Sequence, residues 1–163
     1  MFDLATTAQD LVDRLVLNAV FGTVAFIEDD DESMRYPVEL PAAFVVLDKL
    51  DAGGKAPGTV TCGQVWAVIL RSQKLLGASG CLPLVDQVID ELTGYKPSGS
   101  VKPLQFAGVQ LYDKKYASVA YLVRFSTDAA GQIQLDFLPT SPGDATLTVS
   151  GSNLEITDLP IPV

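Results

Sequence analysis

Residues 60–71, VTCGQVWAVILR, form a nearly unbroken apolar run whose second half has nowhere to put a wet face, so the fold must cover it on both sides. Read as a strand, it sends Val65, Ala67 and Ile69 one way and Trp66, Val68 and Leu70 the other. The β-branched and aromatic content, Gly63 within the run and the Ala-Pro-Gly-Thr approach at 56–59 favour strand over helix. A second run, YASVAYLVRFST at 116–127, has the same character, with Val119, Tyr121, Val123 and Phe125 opposed to Ala120, Leu122 and Arg124. The two are predicted to share one sheet, with the first as its middle strand.

Around this pair the remaining elements fall into place. Leu4, Ala8, Leu11, Leu15 and Ala19 make a helical stripe over 3–21, with Asp3 or Thr6 as N-cap and Gly22 as the stop. A short strand follows at 23–27, then a second at 42–47 that Pro41 can begin but not sit inside. DKLDAGGKAPG at 48–58 reads as a flexible hairpin tip. The stretch 83–92 repeats Leu84, Val85, Val88, Ile89 and Leu92 between Pro83 and Gly94, the marks of a helix with its start and stop. PLQFAGVQLY at 103–112 alternates as a strand and turns through 113–115 into the second apolar run. The expected class is α+β: a mainly antiparallel sheet of about four strands flanked by two helices, with a C-terminal β extension.

The division expected is 1–127 as the α+β domain and 128–163 as a β-rich extension. The latter holds Asp128, Asp136, Asp144, Glu155 and Asp158 with no Lys or Arg. Its segments 132–138 and 145–157 alternate like strands, and DLPIPV at 158–163 is not helical and apolar enough to want a partner. Such a hairpin has more apolar surface than it can bury alone, so it is expected to contribute to contacts between subunits.

Composition narrows the chemistry. Histidine is absent, which removes Ser-His and Cys-His pairs and His-ligated zinc. Cys62 and Cys81 lack CxxC spacing and read as buried thiols. With 20 acidic against 11 basic residues the net charge is -9, which argues against a DNA reader. EDDDESMR at 28–35 lacks the EF-hand spacing, which leaves Asp29, Asp30 and Asp31 as a solvated loop rather than a metal site. Gly53-Gly54-Lys55 does not complete a phosphate-loop motif. Asp86 with Asp90 or Glu91 is the carboxylate pair an enzyme would need, and a solvated helix face explains it equally well. Trp66 and Tyr121 are the would-be walls of a ligand pocket, though aromatics on central strands are ordinarily core. No catalytic, cofactor or metal residue is therefore assigned. No apolar stretch approaches the ~20 residues of a membrane helix, and MFDLATTAQD is acidic where a secretion signal would be basic, so manufacture in a cytoplasm without membrane contact is expected. The 48% hydrophobic content lies high for a soluble domain and points to surface buried against other subunits.

Taken in order, the first helix, PAAFVVL at 41–47, TCGQVWAVILRSQ at 61–73, LPLVDQVIDELTGYKP at 82–97 and KPLQFAGVQLYDKKYASVAYLVRFST at 102–127 resemble the tail terminator proteins of contractile-tailed, Mu-like bacteriophages. The resemblance implies a non-enzymatic virion subunit at the tail-neck junction, assembled in a bacterial cytoplasm. It would form a homohexameric ring that caps the tail tube and sheath, ends their polymerisation and meets neck or head-tail connector proteins, with DNA only as a passenger. An acidic lining suits a ring through which a genome slides, because each neutralised phosphate would add affinity and friction. Another neck or head-completion subunit of similar fold is the alternative within the same class.

Overall fold

The computed structural model describes residues 2–27, 39–56, 58–112, 119–132, 137–141, 144–148 and 155–160. Its elements in chain order are α1 (Leu4–Val16), β1 (Thr23–Phe26), β2 (Ala42–Ala56), β3 (Thr59–Ser72), α2 (Cys81–Leu92), β4 (Gln105–Leu111), β5 (Val119–Gln132), β6 (Phe137–Ser141), β7 (Asp144–Thr148) and β8 (Glu155–Pro160). Five strands form one mixed sheet in the order β1-β2-β3-β5-β4, so the apolar run is indeed the middle strand. β5 lies directly beside it, antiparallel, with Val68 opposite Val123 and Ile69 opposite Leu122. The class is α+β as expected, with one strand more than the four anticipated and with β1 parallel to β2.

A single cross-strand row shows how the sheet is buried. Phe26, Val45, Val68, Val123 and Val109 stand opposite one another on successive strands. The two end members are 45% and 40% exposed and the three inner ones 0%. On this face α1 supplies Ala8, Leu11 and Leu15, and α2 supplies Cys81, Leu84, Val85, Val88 and Leu92. Full burial of each large aliphatic side chain contributes about 1.5–3 kcal/mol. The opposite face buries Ala42, Phe44, Val46, Ala67, Ile69 and Leu122, the other half of the alternation read from 60–71 and 116–127. Both faces of β3 are thus dry, which explains a run with no polar period.

Local chemistry sets the helix ends. Asp3 caps α1, accepting hydrogen bonds from the Thr6 hydroxyl at 2.6 Å and the Thr6 N–H at 3.1 Å. Those two bonds, the hydroxyl's first, hold the Asp3 carboxyl below the ordinary carboxylate range. The helix stops at Val16, several residues before Gly22, because Asn18 N–H turns back to the Leu15 carbonyl in a tighter turn and the chain must reach β1. Ala19, counted in the stripe, therefore lies beyond the helix. α2 begins at Cys81, with Pro83 in its first turn, and Gly94 just past its end takes φ +83°.

Two expectations are corrected. The stretch 48–58 is not a hairpin tip: β2 continues to Ala56 and pairs with β3 down to Ala56 opposite Thr59, through bulges near Asp48 and Gly53. Asp48, Lys49, Asp51 and Gly53 are exposed, so this arm has no dry face to leave a period-two pattern. The space beside Gly53 is closed, since an added Cβ would sit 2.4 Å from the Thr61 carbonyl oxygen. β4 does not alternate, because a bulge at Ala107 precedes Gly108 and nearly all its residues are exposed. Of the strand expected at 132–138, residues 133–136 lie outside the described residues and Phe137 and Leu138 begin β6; the described tail strands form a separate three-stranded sheet in the order β6-β7-β8. β5 itself runs on to Gln132 before that sheet begins. The acidic run 28–35 and the turn at 113–115 lie outside the described residues.

Candidate functional surfaces

The residues named for chemistry are not brought together. Asp86 and Asp90 are exposed on α2, whereas Glu91 turns to Arg14 on α1 at 2.8 Å. Arg14 also lies 5.1 Å from the centre of the Tyr95 ring, tying α1 to the segment after α2. Among the described residues no group of three or more His, Cys, Asp or Glu could hold a metal ion, and Asp29, Asp30 and Asp31 are outside them. Among the described residues no helix is long and apolar enough to cross a membrane. Gly53 and Lys55 belong to β2, and a strand rather than a helix follows them.

Trp66 is core: it is 1% exposed and its indole N–H donates to the Gln64 amide oxygen at 2.9 Å. Tyr121 is half-buried against the helix-facing core. Both cysteines are free thiols in buried positions. Burial pushes the Cys81 thiol up to about 11, only partly offset by a backbone hydrogen bond from Tyr121, and its S–H points to the Leu70 and Val119 carbonyls. Since the thiolate is the reactive form, native protein at pH 8 should leave Cys81 unlabelled by a thiol reagent, with rapid labelling after urea is added. Rapid native labelling of Cys81 would show that the start of α2 opens readily.

What the surface offers instead is exposed apolar side chains. The register sets the start of β1 and β2 beside the end of β3. Val16 and Leu17 therefore lie towards the same end of the sheet as Leu75, Leu76 and Leu82, and Leu17 and Leu76 are 75% and 68% exposed. A hollow of about 240 Å³ between α1 and the sheet is lined by Leu4, Ala5, Ala8, Gln9, Phe26, Leu47 and Trp66. β4, an outer strand, exposes Phe106, Val109 and Leu111. The sequence identifies β4 as a strand but gives no sign that it is an edge; its lack of charge reads equally as burial.

No protein-family model matches the chain, and no curated protein matches it. Solved structures do: a chain in the virion of a native gene transfer agent particle aligns with a TM-score of 0.55 at 18% identity, covering 80% of this chain and 96% of that one. At that identity the likeness shows the fold.

Proposed function

We propose that this chain is a structural protein of a phage-like particle, and more narrowly a tail terminator that closes into a ring of identical copies at the junction of tail and neck. The observation that carries the reading is the shared fold with a gene transfer agent virion chain, nearly all of which is covered. Three further features support it: separate apolar surfaces on one small molecule, carboxylates spread over the surface rather than gathered in a cleft, and an acidic balance of -9. On this reading the exposed leucines at one end of the sheet meet other particle proteins, namely tube, sheath or neck subunits. The ring passes DNA without gripping it, because the chain has no excess of cations to neutralise phosphates. Residues 1–127 supply the common body and 128–163 a chain-specific β addition.

Mass photometry of the purified protein over a concentration series tests this. A ring gives one discrete mass at a sixfold multiple of the 17.3 kDa chain, and negative-stain images show a central hole. A single chain at every micromolar concentration, with no ring in the images, would defeat the ring-forming assignment.

A further inference from the structure

We infer that the β8 edge of one copy extends the sheet of the next by pairing with its β4 edge, an inference that rests on the assembly reading above. β4 reads QFAGVQL, with no charge and no proline, the devices that ordinarily protect an outer strand. Its outer row of backbone groups is available for another strand, and Phe106, Val109 and Leu111 stand beside it exposed.

The occupant is chosen by charge and by chain geometry. Residues 92–127, which contain β4, carry Lys96, Lys102, Lys114, Lys115 and Arg124 against Asp113 alone, in a chain that is otherwise acidic. Among the described residues Arg124 is answered by Asp48 at 2.9 Å and Lys102 by Asp128; Lys114 and Lys115 lie outside them. The extension beyond 127 carries five acids and no base, two of the five in β8 itself as Glu155 and Asp158. Of the second sheet's two outer strands, β6 has Pro139 in its middle, whereas β8 keeps its backbone donors up to the final Pro160. A second copy rather than the same chain is indicated by where the tail leaves. β5 ends at Gln132, six residues past Ser126, the partner of Gln105 at the start of β4. That is on the order of 20 Å along the strand. Among the described residues no strand of the second sheet pairs with the first in the single chain. Handing the tail outward to the next copy is a head-to-tail contact, the type that closes a ring.

The register supplies a selective test. Tyr112 N–H donates to the Ala120 carbonyl at 2.9 Å, so by antiparallel alternation the N–H groups of Val109 and Leu111 point away from β5. Leu111→Pro thus removes an outward donor and leaves the β4-β5 ladder in place; Leu111→Glu, which sets a carboxylate against the acidic tail, serves if the proline variant loses its native circular dichroism. The full-length partner variant is Glu155→Lys with Asp158→Lys. Each alone should lose the wild-type oligomer in sedimentation velocity, and the two mixed should form a 1:1 pair that grows no further, because one has an intact tail and the other an intact edge. If either Leu111 variant or the double lysine variant keeps the wild-type oligomer, the contact is elsewhere and the assembly reading still stands. If the wild-type chain is single throughout, the assembly reading fails, and the edge contact fails with it, because the wild-type chain carries both the tail and the edge intact.

Discussion

Trp66→Ala should destabilise the protein by about 3–5 kcal/mol, read as a lower midpoint in a urea melt at unchanged slope. The ring is among the largest fully buried side chains and stands in the centre of β3, between Leu47 on β2 and Phe125 on β5. Truncation removes two things at once. The first is the indole's packing against the helix-facing core, which the neighbouring hollow of about 240 Å³ is poorly placed to replace. The second is the donor to Gln64, itself 1% exposed, whose amide oxygen would be left buried without the indole. Trp66→Phe separates them: it keeps most of the packing and should cost about 1–3 kcal/mol for the unanswered amide and the lost volume. A loss below about 1 kcal/mol for the alanine variant would mean that β3 is not the centre of the core.

The sequence made this core legible because period-two alternation survives wherever a strand has distinct faces. Trp66, Val68, Leu70, Val123 and Phe125 point to the helices, and Ala67, Ile69 and Leu122 point away, as the alternation requires. The helix over 83–92 was legible for a related reason: Leu84, Val85, Val88 and Leu92 recur at helical spacing between a start signal and a stop signal. What the pattern missed lacks such a contrast. The arm around Asp48, Lys49 and Asp51 is wet throughout and looks like a loop, yet its backbone is paired with β3 on either side of its bulges. β4 fails in the opposite sense, since Phe106, Val109 and Leu111 look like core and are exposed. Apolarity in the sequence does not say whether the covering surface belongs to the same chain. The candidate contact surface was legible only as an excess of hydrophobic residues, and locating it on the outer strand needed the strand order.

That difference between middle and edge gives the sharpest test, because Val68 and Val109 both flank Val123 in one cross-strand row. Val68→Asp would bury a carboxylate among Val45, Val123 and the helix side chains with no cation in that core to answer it. The expected cost is of order 5 kcal/mol, comparable with the entire stability of a modest domain, so the variant should be largely unfolded at neutral pH. Burial raises the folded-state pKa of such an aspartate above its unfolded value of about 4, so the folded form binds the proton more tightly. The defect should therefore be greatest above the raised pKa and shrink as pH falls towards 4, a pH dependence that Val68→Asn must lack. Val109→Asp places the same group at the end of the row, where the wild-type side chain is already 40% exposed, and should cost no more than about 0.5 kcal/mol in the fold. If β4 is the edge that receives another copy, that mild change in stability will come with loss of the oligomer, since a carboxylate there faces the acidic tail of the incoming subunit. Equal destabilisation by aspartate at 68 and at 109 would contradict the strand order itself, because only a covered β4 would make the two sites alike.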